Sequence, residues 1–421
     1  MTDKPFLPYG RQQLDDDDFE AVARVLASDW LTQGPAVAAF ERAFAEKVGA
    51  RHAVACANGT AALHLACLAL ELKPGDAVVV PSVTFLATAN MPFLCGAEVV
   101  FADVDPATGL MRRADAEEAL RRARSAGLEV RAAFPVHLAG QAADMDGLAG
   151  LAEENDFELV EDACHAVGTR VLHADGTEAM VGACDRAAMA CFSFHPVKTM
   201  TTGEGGMVTT DDDLLAGRLR RFITHGISRD PDAFAYKLEA FDERGEPNPW
   251  YYEMHEPGLN YRLTDIQAAL GLSQLGKLDR FVARRAALAA EYDRLLEPMA
   301  PLVRPAGRAE FCRPAWHLYA VHIDFEEAGV SRAAVMNALR AEGIGTQVHY
   351  IPVHGQPFWR RRYGSQDLPG AAAWYGRCLS LPLFPAMEPG DPARVVAALA
   401  RALGVAGPPE DVEGINRLGV A

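Results

Sequence analysis

The chain has 421 residues and a formal net charge of −17 at pH 7; half its residues are apolar and 23% are charged. That apolar share excludes a disordered chain, and the length, enough for two or three domains, allows a large buried core without disulfide or metal staples. The negative field opposes bulk attraction to DNA, RNA or anionic lipid, so a phosphorylated ligand needs donors supplied by its own site.

Residues 1–13 read as an arm with little periodicity, and Met1 is followed by no apolar signal segment. Asp15 to Asp18 then precede Phe19, Val22, Val25 and Leu26, an apolar helical spacing with acids at the positive end. Thr32-Gln33-Gly34-Pro35 breaks the chain before a second helix through Val37, Phe40 and Phe44. Ala53-Val54-Ala55-Cys56 is strand-like, and an Ala/Leu helix runs to about Leu70. The longest mostly apolar stretch, Ala61 to Leu72, carries His64 and Glu71 and is too short and polar to span a bilayer. A cytoplasmic protein with no membrane or nucleic-acid partner is the expectation. The same grammar continues with strands at 77–80, 99–104, 130–136, 157–161 and 189–194, and helices at 85–94, 114–125 and 145–155. Strands alternating with helices, with near-continuous apolar strand cores, predict an open α/β sheet covered on both faces.

Residues 226–258 change character, with Pro, Asp, Asn, Gly, Trp250, Tyr251 and Tyr252, and read as a long loop. From Thr264 a helical pattern extends, with breaks, through 281–296 and bridges into a smaller α+β unit with a strand at 316–323 and helices at 331–341 and 388–403. The expected division is a large domain over 1–275, with its arm 1–13 and insert 230–257, and a small domain over 276–421. The eight cysteines include no close CxxC pair, so reduced core thiols and no metal site are expected.

Three strand-end motifs carry chemistry. Asn58-Gly59-Thr60-Ala61-Ala62 enters a helix, where free N–H groups, a small residue and a hydroxyl suit a phosphate; it equally fits a strand–helix turn with a Thr cap. Glu161-Asp162-Ala163-Cys164-His165 ends an apolar strand, where open sheets bind ligands and a carboxylate can hold a proton on a heterocyclic nitrogen; a helix cap is the plain alternative. Ser193-Phe194-His195-Pro196-Val197-Lys198 embeds a lysine after a strand and ahead of Gly203-Glu204-Gly205-Gly206. That setting is unusual for a lysine that merely decorates the surface. Neither GxGxxG nor a P-loop is present.

Together with Leu31-Thr32-Gln33-Gly34-Pro35 and Asn260-Tyr261-Arg262-Leu263-Thr264-Asp265, these motifs resemble, in order and over nearly the whole chain, the DegT/DnrJ/EryC1/StrS sugar aminotransferases. The resemblance implies a fold-type I transferase dependent on pyridoxal 5'-phosphate, with a mostly parallel central sheet and a smaller C-terminal α+β domain. It places Lys198 at the lysine that forms a Schiff base with the cofactor and Asp162 at the acid paired with the pyridine nitrogen. Phe85 falls at the ring that stacks on the cofactor, and Thr60, the Ala61 backbone and Ser193 at the phosphate cup. His165 takes the place of a Gln or His beside the cofactor, and Asn260 that of a residue reaching the neighbouring subunit's cofactor, which implies a homodimer.

Within the family the chain most resembles transaminases that make UDP-4-amino-4,6-dideoxy-N-acetyl-β-L-altrosamine, on the route to pseudaminic acid, through residues 198–206, 270–275 and 343–354. The implied substrates are L-glutamate and a UDP-linked 4-keto-6-deoxy-2-acetamido sugar. An aminotransferase for another UDP- or dTDP-linked keto sugar shares the same motifs. A pyridoxal-phosphate-binding regulator or a non-catalytic relative is a further alternative. Because the chain is acidic, anionic substrates need local cations, and Arg229, Arg262, His225 and His349 are the candidates for contacting the donor carboxylates or the diphosphate.

Overall fold

The computed structural model describes residues 5–407. Seven strands, β1 (His52–Cys56), β2 (Asp76–Pro81), β3 (Glu98–Ala102), β4 (Glu129–Ala133), β5 (Glu158–Asp162), β6 (Met189–Ser193) and β7 (Gly206–Thr210), form one sheet in the order β1-β7-β6-β5-β4-β2-β3. All neighbours from β3 to β6 pair in parallel, while β7 runs against both β6 and β1. The protein is therefore α/β with a mixed, mostly parallel sheet. Side-chain alternation divides the core: Val78 and Val80 of β2 pack with Phe101 and Val160 on one face, whereas Ala77 and Val79 join Leu148 and Leu159 on the other.

Helices cover both faces, as uninterrupted apolar strands require. They are α1 (Asp16–Leu26), α2 (Pro35–Val48), α3 (Gly59–Ala69), α4 (Leu86–Leu94), α5 (Arg113–Ser125), α6 (Met145–Asn155) and α7 (Asp213–Phe222). Local chemistry explains their ends. Asp15 and Asp18 form a reciprocal capping box on α1, and α2 starts on Pro35 and stops at Gly49 in the left-handed region. The helical segment expected with breaks after Thr264 is two helices, α8 (Asp265–Leu275) and α9 (Leu278–Leu296), separated by Gly276 and Lys277.

The second lobe is a three-stranded antiparallel sheet with later helices against it. Its strands, β10 (Val303–Pro305), β11 (Tyr319–Ile323) and β12 (Cys378–Leu381), pair in numerical order. α9, α10 (Arg332–Ala341) and α11 (Asp391–Leu403) enclose a core of Leu288, Tyr292, Val321, Leu379 and Leu399. The N-terminal arm enters this core. Leu7 pairs with the 343–345 segment through the Leu7 N–H to Gly343 carbonyl bond and the Gly345 N–H to Leu7 carbonyl bond, both 2.8 Å, and its side chain is buried.

Three expectations are corrected. Residues 226–258 are not an open loop. A ribbon pairs β8 (Ile227–Ser228) with β9 (Glu253–Met254), a helical turn occupies Lys237–Ala240, and the Glu253 carboxylate accepts from the N–H groups of Ala235 and Tyr236 at 2.6 and 2.8 Å and from the Tyr251 hydroxyl at 2.9 Å. Strand β7 and helix α7 follow the glycine-rich turn without having been anticipated. The strand foreseen over 130–136 ends at Ala133, and the chain continues to Val136 through single bonds to its neighbours. All eight cysteines are free thiols, and no helix among the described residues is long and apolar enough to cross a membrane.

Candidate active site

The carboxyl ends of β1, β2, β5 and β6 open into one cavity of about 670 Å³, walled on the far side by residues 347–351 from the second lobe. Open α/β sheets place ligands at this edge because each strand end delivers a loop or a helix start there.

From β1 the chain turns into α3. Asn58 is the cap, its Oδ1 accepting the Ala61 N–H at 2.8 Å. The cap is therefore not Thr60, whose side chain lines the cavity instead. The Ala61 N–H, expected to face a phosphate, is taken by Asn58, and Ala61 does not line the cavity. Gly59 and Thr60 do, at a helix start where N–H groups lack intrahelical acceptors. Ser193, from the end of β6, closes this corner. A Cβ built on Gly59 would lie 2.7 Å from Ser193 Cβ, so only glycine lets the two elements meet. Gly59→Ala is expected to cost about 1–3 kcal/mol of stability by overpacking and to weaken cofactor retention; equilibrium dialysis against the cofactor measures the second effect.

From β2 comes Phe85, the residue before α4, with 55% of its surface exposed in the cavity wall. An aromatic face left open at a site is suited to stack on a flat ligand. From β5 comes Asp162, buried, its Oδ2 accepting the Thr88 hydroxyl at 2.6 Å and its Oδ1 the Cys164 N–H at 3.2 Å. Its backbone is held on both sides, by the Pro135 carbonyl and the His137 N–H. The loop after β6 carries Lys198. That loop is folded back on itself by the Lys198 N–H to His195 carbonyl bond at 2.8 Å and by bonds from Thr201 and Thr202 to the Phe194 carbonyl. Lys198 is half-buried and lines the cavity, and burial holds its pKa below the usual range, against the opposing pull of Cys164 and Asp162.

His165 is buried between the Ala139 N–H, 3.3 Å from Nδ1, and the Tyr350 hydroxyl, 3.0 Å from Nε2. Its ring leans on His317 with centroids 4.4 Å apart. Burial, reinforced by Lys198 and His349, pushes its pKa well below the ordinary value. His349 also lines the cavity, bonded through Nδ1 to Ser380 Oγ at 2.8 Å. Burial, together with Lys198, drives its pKa down to about 3, so it is uncharged at neutral pH and does not supply the cation expected of it.

The other expected substrate contacts are not brought into this cavity. His225 and Arg229 are exposed, with Arg229 over the Tyr252 ring at 5.5 Å, and Arg262 donates to Thr224 Oγ1 at 2.8 Å. Asn260 is exposed and pairs with Thr224. None of the four lines the cavity of its own chain, nor do Trp250 and Tyr252 of the ribbon. Three positions at the cavity were not singled out by the sequence. Thr88 orients Asp162, Tyr9 of the arm lines the cavity, and Tyr350 contacts His165. Tyr350 stands inside the 343–354 segment and Tyr9 in the N-terminal arm, but nothing in local spacing says that distant segments meet.

A model of the DegT/DnrJ/EryC1/StrS aminotransferase family matches residues 12–400. The spore coat polysaccharide biosynthesis protein SpsC of Bacillus subtilis (strain 168) is 38% identical over 397 residues, covering 94% of this chain and 96% of that protein. Among solved structures, Helicobacter pylori PseC, an aminotransferase involved in the biosynthesis of pseudaminic acid, superposes with a TM-score of 0.83 at 26% identity over 95% of this chain and 99% of its own. DesV of S. venezuelae, solved in complex with a ketimine intermediate, gives 0.79 at 32% identity over 96% and 100%. Pyridoxal phosphate is the cofactor of these aminotransferases. The residues present fit it, with a glycine-floored corner at a helix start for phosphate, an open aromatic face, a held carboxylate and an enclosed lysine on a single cavity.

Proposed function

Because the chain belongs to the DegT/DnrJ/EryC1/StrS aminotransferase family, and is a pyridoxal-phosphate-dependent sugar aminotransferase, we propose that it moves an amino group from L-glutamate to C4 of a UDP-linked 4-keto-6-deoxy-N-acetylhexosamine. The product is then UDP-4-amino-4,6-dideoxy-N-acetyl-β-L-altrosamine. The observation that carries the chemistry is the placement of Lys198 and Asp162 on one cavity with the open Phe85 ring between the strand ends. Support for the sugar comes from the likeness to PseC.

When bound, pyridoxal phosphate supplies an aldehyde that captures amines and a ring that accepts the electron pair of a carbanion. The chain's residues do the rest. Gly59, Thr60 and Ser193 hold the phosphate, and Phe85 fixes the ring plane. Asp162, oriented by Thr88 and Cys164, keeps the proton on the ring nitrogen. Lys198 Nζ would take the proton from glutamate Cα and deliver it to the carbon that carries the cofactor's aldehyde. Its low pKa serves both directions, because a lysine must be partly uncharged to accept a proton. In the second half-reaction the same nitrogen carries the proton to C4 of the sugar.

The protein acts as a cytoplasmic homodimer with shared active sites. Asn260, His225, Arg229 and Arg262 lie outside their own cavity, on the segments at and around the ribbon, where a neighbouring copy's cavity is the place for cations and an amide to meet a diphosphate or a phosphate. The division at about residue 275 sets the large domain as cofactor cradle and the small domain as the wall carrying His349 and Tyr350.

A second reading, another nucleotide-linked keto sugar, draws on the 38% identity to a protein named for spore coat polysaccharide. Incubation with glutamate and a panel of UDP- and dTDP-linked 3-keto and 4-keto sugars, followed by mass spectrometry, separates the two. Preferred amination of the UDP-linked 4-keto-N-acetyl sugar is the expected outcome. Preference for a dTDP sugar or for a 3-keto position overturns the first reading and leaves the second.

A further inference from the structure

We propose that residues 347–354 form a strap across the cavity, pinned to both lobes, and that the Ser82–His354 pin sets the fit of the larger, keto-sugar substrate. The strap leaves the second lobe at β12. Gln347 and Ser380 exchange backbone hydrogen bonds at 3.2 and 2.8 Å, and His349 Nδ1 bonds Ser380 Oγ at 2.8 Å. It lands on the large lobe at Ser82, the residue after β2. There the Val353 N–H donates to the Ser82 carbonyl at 2.8 Å, and Ser82 Oγ and His354 Nδ1 lie 2.5 Å apart. Each end is thus held by one buried serine through both its backbone and its hydroxyl. The cores divide the same way: Leu379 and Leu381 flank Ser380 in the second lobe's core, whereas Val353 packs with Val80 and Phe101 of the large one. Between the pins, the Trp374 indole donates to the His349 carbonyl at 2.9 Å and the Tyr350 hydroxyl meets His165. Among the described residues no backbone-to-backbone bond holds Ile351, so its place follows from the pins.

The pin bears on one substrate more than on the other, a step that rests on the two-substrate reaction proposed above. Both substrates react beside Lys198, but an amino acid is far smaller than a sugar carried on a nucleoside diphosphate. The larger one extends further from the lysine, toward the opposite wall. That wall is the strap: Gln347 and the half-exposed Ile351 line the cavity from it, and Gln356 does so just past the pin. An apolar side chain between two amides suits a sugar ring, which has an apolar face and polar edges. The pin transmits position without charge. Burial, with Arg360 and Arg122 and against Asp103, holds the His354 pKa below its ordinary value, so the ring is uncharged at neutral pH. Ser82 and His354 do not themselves line the cavity; they are positioning residues.

Two measurements on the cofactor-loaded enzyme test this. Ser82→Ala removes the hydroxyl and leaves the Val353 bond, and His354→Leu removes the same pin from the strap. Amide hydrogen exchange without substrate is expected to quicken by about tenfold over peptides spanning 347–356 in either variant, the equivalent of one lost hydrogen bond. Unchanged exchange there overturns the strap, whatever the sugar is. KM for the keto sugar that the panel identifies is expected to rise by about tenfold in both variants. The glutamate half-reaction, followed as loss of the visible band with no sugar present, should keep its rate and its KM. A rise for both substrates, or for neither, overturns the selective role. His354→Asn places an amide atom where Nδ1 lies and should restore the KM; an asparagine variant as impaired as the leucine one overturns the hydrogen bond as the cause. Should Ser82→Ala fail to fold, the two variants of the half-buried His354 decide. Should no keto sugar be aminated, the proposed function fails, and the exchange result still decides the strap.

Discussion

Lys198→Ala is expected to reduce turnover by on the order of 10⁴-fold or more. Proton transfer by a positioned side chain contributes about 10²–10⁴-fold by itself, and the covalent route through the lysine is lost as well. Among the described residues no second lysine lines the cavity, so none there stands ready to replace it. The fold should not suffer. Burial already disfavours the charged form of Lys198, and its loop is held by backbone and threonine hydrogen bonds that do not involve the amine. The purified variant should therefore unfold at an unchanged temperature yet lack the visible absorbance of the lysine-bound cofactor. Borohydride reduction of the unaltered enzyme should mark a peptide spanning residue 198. Normal turnover in the alanine variant, or a reduced label elsewhere, would falsify the assignment.

Asp162→Asn is expected to have the next largest effect, a fall in kcat of roughly 10²–10⁴-fold with the cofactor still bound. The substitution keeps the shape but replaces a carboxylate oxygen by an amide, which cannot attract a proton onto the ring nitrogen. It also disturbs the Thr88 contact at 2.6 Å, because one face of the amide donates where the carboxylate only accepts. A cofactor analogue methylated on the ring nitrogen carries its positive charge permanently. It should therefore restore part of the lost rate in Asp162→Asn while giving no such benefit to Lys198→Ala. If the asparagine variant turns over like the parent, the acid has a structural role only.

How much of this could be read from the chain depends on how far apart the cooperating residues lie. Asp162, Ser193 and Lys198 each follow an apolar strand run, so a parallel sheet brings them to one edge whatever the details of packing. The helix start at Asn58 was legible too, but which side chain caps it was not. Asn58 and Thr60 are both good capping residues, and only the extended backbone at 58 decides in favour of asparagine. His349 is a candidate cation because an acidic chain needs local positive charge where anions dock; its burial is a tertiary fact. The strand β7 begins on the last glycine of a turn, and β12 is four residues long after a helix that ends at Arg377, so neither offered a window in which a period of two could be counted. The ribbon at 226–258 hid for another reason. Its pairing spans two residues on each side, and one carboxylate, Glu253, gathers two backbone amides and a phenol from within it.

The N-terminal arm has a practical corollary. Leu7 is seated in the hydrophobic interior of the second lobe, Tyr9 borders the cavity, Gly10 lies against Val197 next to the lysine, and the Gln13 carbonyl takes a hydrogen bond from Gln274 on α8. Within seven residues the backbone thus stitches three parts of the molecule together across Lys198. Trimming the front of the gene up to the first helix, a common step when preparing a shorter expression clone, would unfasten that seam and leave an enzyme with intact chemistry and a loosened wall.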